Sequence, residues 1–235
     1  MMTLLAHYDA LRAEALRHFA SGTPALDPWL RPGAAPDTRR GLTLLARPPA
    51  SVTAAIEALL ADFRGLEPAQ YYYPATDIHL TILSLISCAS GFSLDLIDPA
   101  AYQAAVREIL QSAHPFTIRY AGLTASPGAL IVQGFPLDEG LEELRGKVRE
   151  YFRRSGLRHS IDQRYRLQTA HSTVVRFRST LQQPVRMAER IRRAEHQFIG
   201  DFEVDTVELV FNDWYQRAAN TVLLERVVLN RAASG

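Results

Sequence analysis

Two short segments pair an imidazole with a hydroxyl at a spacing that suits a shared strand face. The first is His79-Leu80-Thr81-Ile82, inside DIHLTILSL, and the second is His171-Ser172-Thr173-Val174, inside TAHSTVVRF. Successive strand side chains point to opposite faces, so His79 and Thr81 point the same way, as do His171 and Thr173. A lone strand histidine is most often a half-buried side chain bonded to a carbonyl. Here the arrangement recurs after 92 residues, each time in an apolar strand and each time followed by a β-branched residue. That recurrence points to chemistry. An unperturbed histidine titrates at about 6.5, so at neutral pH one imidazole of a facing pair can be neutral and the other protonated. The neutral ring takes a proton from water or a hydroxyl, and the protonated ring gives one to a leaving oxygen. Either histidine can fill either role. The threonine hydroxyls can donate hydrogen bonds to oxygens on which charge builds. Such a set can carry out paired acid–base chemistry at one reacting centre.

The two motifs resemble the signature of the 2H phosphoesterase superfamily, which includes 2′,3′-cyclic nucleotide phosphodiesterases and 2′-5′ RNA ligase-like proteins. GLTLLARPP (41–49) is similar to that family's first strand and its proline-ended turn. Residues 116–135, followed by a helix and a loop into the second motif, are similar to its middle. The resemblance covers about residues 41 to 229. It implies a bilobal α+β fold, two antiparallel-rich sheets with outer helices, and both motifs facing a central cleft. It further implies His79 and His171 as catalytic groups, Thr81 and Thr173 as phosphate-binding groups, and no metal or cofactor. The substrate would carry a 2′,3′-cyclic phosphate or a 2′-5′ phosphodiester, at a nucleotide or an RNA end.

The pattern of the chain supplies elements to hold these groups. Leu4, Tyr8, Leu11, Ala15 and Phe19 fall at helical spacing and predict a helix over about residues 3–20. The stretch 21–40 carries four prolines and two glycines and reads as an irregular arm. Residues 1–40 are therefore expected to form a helix and proline-rich arm, and 41–235 the main domain. Helices are expected over 51–64, 99–112, 138–154 and 184–198, and strands at 41–49, 76–86 and 170–177. Residues 116–135 read as two strands turning at Ser126-Pro127-Gly128. FEVDTVELVF and NTVLLERVVL read as two long strands joined around Asn212-Asp213-Trp214. A unit of strand, helix and histidine-bearing strand is expected twice.

Composition narrows the function classes. The chain is 235 residues, 47% hydrophobic and 22% charged, with one cysteine, Cys88, which excludes an internal disulfide framework. No apolar run reaches the ~18 residues of a membrane helix, and the N-terminus lacks the apolar block of a secretory signal. A cytoplasmic protein with no membrane role and no obligatory protein partner is expected. The net charge of +1 conceals an asymmetry: residues 145–193 hold 14 Lys and Arg against 3 Asp and Glu. A pole so basic suits an anionic ligand, and equally a solvated helix face.

Other residues are secondary candidates. Tyr73 and Tyr165 precede the motifs and could stack on a base or sugar, or pack at the core edge. Arg166 or Arg164, across a bend from His171, suits a phosphate. Arg176, in an unbroken strand, would point away from His171 to the surface. Trp214, at the expected turn, could line the cleft mouth. Two rival functions keep the fold: a sugar mutarotase-type isomerase using the same histidines, and a non-catalytic module that binds a nucleotide or RNA end. An isomerase would leave the two threonines and the basic region without a role.

Overall fold

The structure is a computed structural model and describes residues 3–231. Helix α1 (Leu4–Ala20) starts at Thr3, whose hydroxyl accepts from the Ala6 amide. The irregular arm follows, with one short turn at Pro28–Leu30. Then come β1 (Arg40–Ala46), α2 (Ala50–Leu66), β2 (Tyr71–Tyr72) and β3 (Leu80–Ala89). They lead to α3 (Pro99–Leu110), β4 (Phe116–Ser126), β5 (Ala129–Pro136), α4 (Gly140–Ser155) and β6 (Ser172–Arg176). The chain ends with α5 (Pro184–Arg193), β7 (Phe198–Val204), β8 (Thr206–Asp213) and β9 (Val222–Val228).

The strands form two antiparallel sheets, a four-stranded one in the order β3-β1-β8-β9 and a five-stranded one in the order β2-β6-β5-β4-β7. This is the expected α+β, two-sheet architecture. The expected repeat is present as β1-α2-β3 and β5-α4-β6. In each unit the motif strand pairs antiparallel with the strand that precedes the helix. Helices α1, α2 and α5 pack on the five-stranded sheet or on one another, while α3 packs on β9 and α4 beside β3 and β4.

Two expectations need correction. FEVDTVELVF is not one strand. It is the end of β7 and most of β8, separated at Asp205, and the two lie in different sheets. Unbroken β-forming character conceals this crossing, because periodicity reports extension and not pairing partner. The helix expected through residue 198 stops at Arg193; a short turn then leads into β7 at Phe198.

The N-terminal segment is built into the same body. Tyr8 is fully buried, and its hydroxyl donates to the Gly134 carbonyl at 3.0 Å while accepting from the Gly134 amide at 3.2 Å. The arm is tied on by Asp27, whose amide donates to the Phe177 carbonyl at 2.7 Å and whose carboxylate accepts from the Tyr215 hydroxyl at 2.9 Å.

Gly134 also sets how closely β5 passes the residue before the second motif. A Cβ there would lie 1.7 Å from the Ala170 carbonyl oxygen. Gly134→Ala is therefore expected to destabilise the protein by about 1–3 kcal/mol, the usual cost of overpacking, read as a lowered urea midpoint. An unchanged midpoint would contradict this account of the β5–Ala170 contact.

Candidate active site

Both motif histidines sit one residue ahead of their strands, where the two sheets meet. Ser172, between His171 and Thr173, is fully buried on the opposite face. Its hydroxyl donates to the His79 carbonyl at 2.5 Å and bonds Tyr120 at 2.7 Å. A second link runs from the Tyr73 amide to the Val174 carbonyl at 3.0 Å. The middle residue of one motif thus holds the backbone of the other.

Each motif is followed by a β-bulge at its hydrophobic residue. Along β1, Leu45 pairs with Thr81 and Leu44 with Leu83, leaving Ile82 as the extra residue. Along β5, Ile131 pairs with Thr173 and Leu130 with Val175, leaving Val174 extra. A bulge reverses the alternation of faces beyond it. On β6 this turns Arg176 to the cleft face, against the expectation of a surface position. On β3 a second irregularity, between Leu42 and Thr43 of β1, adds Leu85. Thr81, Ser84 and Ser87 then share the cleft face at intervals of three, and all three line the cavity.

Beneath both motifs lies Arg145 of α4, 1% exposed. Its guanidinium donates to the carbonyls of Ile82 at 2.8 Å, Thr81 at 3.2 Å and Thr169 at 2.7 Å. Among the described residues no carboxylate lies within 4.0 Å of it. Burial pulls its pKa down to about 10, which leaves the cation charged at neutral pH.

The cleft encloses about 200 Å³ and brings together His79, Thr81, His171, Thr173, Tyr73 and Trp214. Tyr165 lies at its rim, 69% exposed. Arg166 does not line it. Its guanidinium lies 3.5 Å from Glu142 on the surface, and Arg164, two residues earlier, lines the cleft instead. Arg176 approaches the Tyr73 hydroxyl through Nε at 3.3 Å. Trp214 stands among three guanidiniums, with Arg39 at 4.6 Å, Arg164 at 5.4 Å and Arg176 at 5.8 Å from its ring centre. Arg39 comes from the N-terminal arm and is paired with Asp37 at 2.6 Å.

The basic run 145–193 therefore does not make one face. Arg145 and Arg149 are buried, Arg164 and Arg176 line the cleft, and Arg186, Arg192 and Arg193 are exposed on α5. Sequence reasoning missed Arg145, Ser84, Ser87, Asn212 and Gln216. Two signals could have revealed some of them. Arg145 lies four residues after Leu141, on the apolar stripe of α4, and Thr81-x-x-Ser84-x-x-Ser87 keeps a polar period of three within an apolar strand.

The two imidazoles are held differently. His79 Nδ1 lies 2.7 Å from the Asp77 carbonyl, which only accepts, so Nδ1 carries the proton and Nε2 is left for the cleft. His171 Nδ1 lies 2.6 Å from the Thr169 hydroxyl, which can donate or accept. Both rings are set in the cleft walls, and loss of hydration pulls each pKa down to about 4. The positive charges of Arg47 and Arg176 add to this at His79, and those of Arg145 and Arg176 at His171, where a proton on His79 would add further. In the free protein both rings are neutral at pH 7. The mixed protonation expected from free histidines is therefore not the state of the free protein at pH 7.

The sign for stability follows. The unfolded histidines bind protons below about pH 6.5, whereas the folded ones resist until about pH 4. Their contribution is full above pH 6.5 and is lost as pH falls toward 4. The double variant His79→Asn/His171→Asn is expected to lose less stability than the wild type between pH 7 and pH 5 in urea melts. Equal losses would contradict the depressed pKa values.

The fold was compared with known proteins. No family model and no curated protein matches the chain. Among solved structures, TT0787 of Thermus thermophilus is similar at a TM-score of 0.58 and 19% identity, with 81% of this chain and 98% of that one covered. Escherichia coli LigT complexed with phosphate is similar at 0.54 and 16%, with 83% and 99% covered. A structure described as a phosphoesterase is similar at 0.52 and 18%, with 82% and 99% covered. The chain has the two-sheet α+β fold shared with LigT and TT0787.

Proposed function

We propose that the protein is a phosphoesterase that opens 2′,3′-cyclic phosphates, or cleaves 2′-5′ phosphodiesters, of nucleotides or RNA ends. The observation that carries this reading is the convergence of His79, Thr81, His171, Thr173 and Arg176 on one cleft. An anion placed among them faces two imidazoles, two hydroxyls that make no other hydrogen bond among the described residues, and a guanidinium without a carboxylate partner there. LigT, which shares the fold, has been crystallised with phosphate and with 3′-AMP.

In the proposed reaction, His79 Nε2 removes a proton from water as the water oxygen bonds to phosphorus. The phosphorus–oxygen bond to the ribose breaks, and the departing oxygen takes a proton from His171. His171 enters this step protonated, because the bound phosphate's negative charge opposes the burial and the neighbouring cations that hold its pKa down. Thr81 and Thr173 donate to the non-bridging oxygens, where negative charge grows. Among the described residues no three His, Cys, Asp or Glu side chains are grouped to hold a metal ion. The proton transfers in this reading run through imidazoles. A charged, hydroxyl-lined cleft favours an anionic substrate over the neutral sugar of an isomerase.

The test is turnover of the four 2′,3′-cyclic nucleotides in excess chelator, with products separated by chromatography. Activity is expected in the wild type. His79→Ala and His171→Ala should each lose about 10²–10⁴-fold in kcat, and Thr81→Val or Thr173→Val about 10²-fold. Arg176→Met should act mainly on KM. Turnover that survives in both histidine variants would sink the two-histidine reading. Absence of turnover, for these substrates and for 2′-5′ linked dinucleotides, would sink the phosphoesterase reading itself.

A further inference from the structure

Among the described residues only Asp162 and Gln216 place a side chain on left-handed backbone, each at φ 56°. Both line the cleft. Such backbone is costly for a residue with a Cβ, and it persists where function uses it. Asp162 has a structural account: its carboxylate accepts from Arg149 Nε at 2.8 Å, and aspartate tolerates this conformation well. Gln216 has none. Its amide closes a turn onto the Asp213 carbonyl at 3.2 Å, a task that glycine would perform without strain. Its side chain makes no hydrogen bond among the described residues, although the residue is only 5% exposed and Oε1 is buried. A shielded carboxamide without partners is costly unless a ligand satisfies it.

The surroundings indicate what kind of ligand. On the side of the cleft formed by the four-stranded sheet, the polar lining is uncharged: Thr43, Ser84, Ser87 and Asn212, beside Leu83 and Cys88. Asn212 Nδ2 is committed to the Asp213 carbonyl at 2.8 Å, while its Oδ1 is buried without a partner. The cations Arg164 and Arg176 lie toward Trp214. The cleft therefore offers charge for a phosphate around the indole and, on the four-stranded-sheet side, uncharged donors and acceptors. A nucleobase is planar, uncharged and edged with donors and acceptors.

We propose that Gln216 is the residue that reads the nucleobase, through its carboxamide, with the base seated on the uncharged polar side of the cleft. This rests on the phosphoesterase reading, which places the phosphate at the histidines. Strain at residue 216 is then retained for specificity.

The test compares wild type, Gln216→Met and Gln216→Gly in kcat/KM for the four 2′,3′-cyclic nucleotides and in affinity for the four 3′-nucleoside monophosphates by calorimetry. The wild type is expected to span about tenfold or more between bases, the worth of one satisfied hydrogen bond, and both variants to span less than about threefold. Gln216→Gly should also melt at a higher temperature, since it relieves the strain. A more stable Gln216→Gly variant with an unchanged spread between bases would show a purely structural role and overturn the proposal. Turnover with no base preference in the wild type would overturn it and leave the phosphoesterase reading standing. If neither the cyclic nucleotides nor 2′-5′ linked dinucleotides are turned over, that reading fails separately. The affinities then decide: a spread that collapses in both variants supports base reading, and a uniform or unaltered spread overturns it.

Discussion

The carbonyl cluster around Arg145 is the constraint on which the site depends. A β-bulge after each motif takes backbone out of ladder register, and a bulged strand must find other partners for its carbonyls. On the first motif strand, Thr81 and Ile82 find theirs in the guanidinium of Arg145, which also takes the Thr169 carbonyl just ahead of the second motif. One side chain thus joins backbone from both lobes beneath the two histidines. The Ser172–His79 bond makes a second, independent join on the same seam. Hydrophobic burial can bring two sheets together, but it is non-directional. The register of one motif against the other is fixed by these directional bonds.

The same arrangement sets the electrostatics. A buried cation that bonds only to carbonyls keeps its full charge, and it lies close enough to His171 to oppose protonation there. Arg176, turned into the cleft by the second bulge, opposes protonation of both rings. The cleft of the free protein is therefore positive by its guanidiniums and neutral at its histidines. In the proposed reaction an entering phosphate would meet that fixed positive charge and, by opposing it, ease protonation of an imidazole. The substrate would thereby generate its own general acid.

The parts of this design differ in how far they can be read from sequence. The two His-x-Thr segments, the α+β class and the repeated strand-helix-strand unit follow from local periodicity, because side-chain direction on a strand and on a helix is a local property. Strand alternation misplaces Arg176 because a bulge is a property of pairing, invisible in the strand that carries it. The run FEVDTVELVF conceals a crossing between sheets for the same reason. Arg164 and Arg166 cannot be ranked from sequence, since their loop has no period to orient them. Arg145 stands out in sequence only by its place on the apolar stripe of α4; its carbonyl partners are set by tertiary packing. Gln216 carries no sequence signal: its backbone strain and its lack of partners exist only in three dimensions.

The most direct test of the central claim follows His79 and His171 by NMR as pH is lowered, first in the free protein and then with saturating 3′-AMP. The account predicts that both imidazoles of the free protein stay neutral until well below pH 6 and that ligand raises the pKa of at least one into the neutral range. Two imidazoles that titrate near the ordinary histidine value and do not respond to the nucleotide would contradict it.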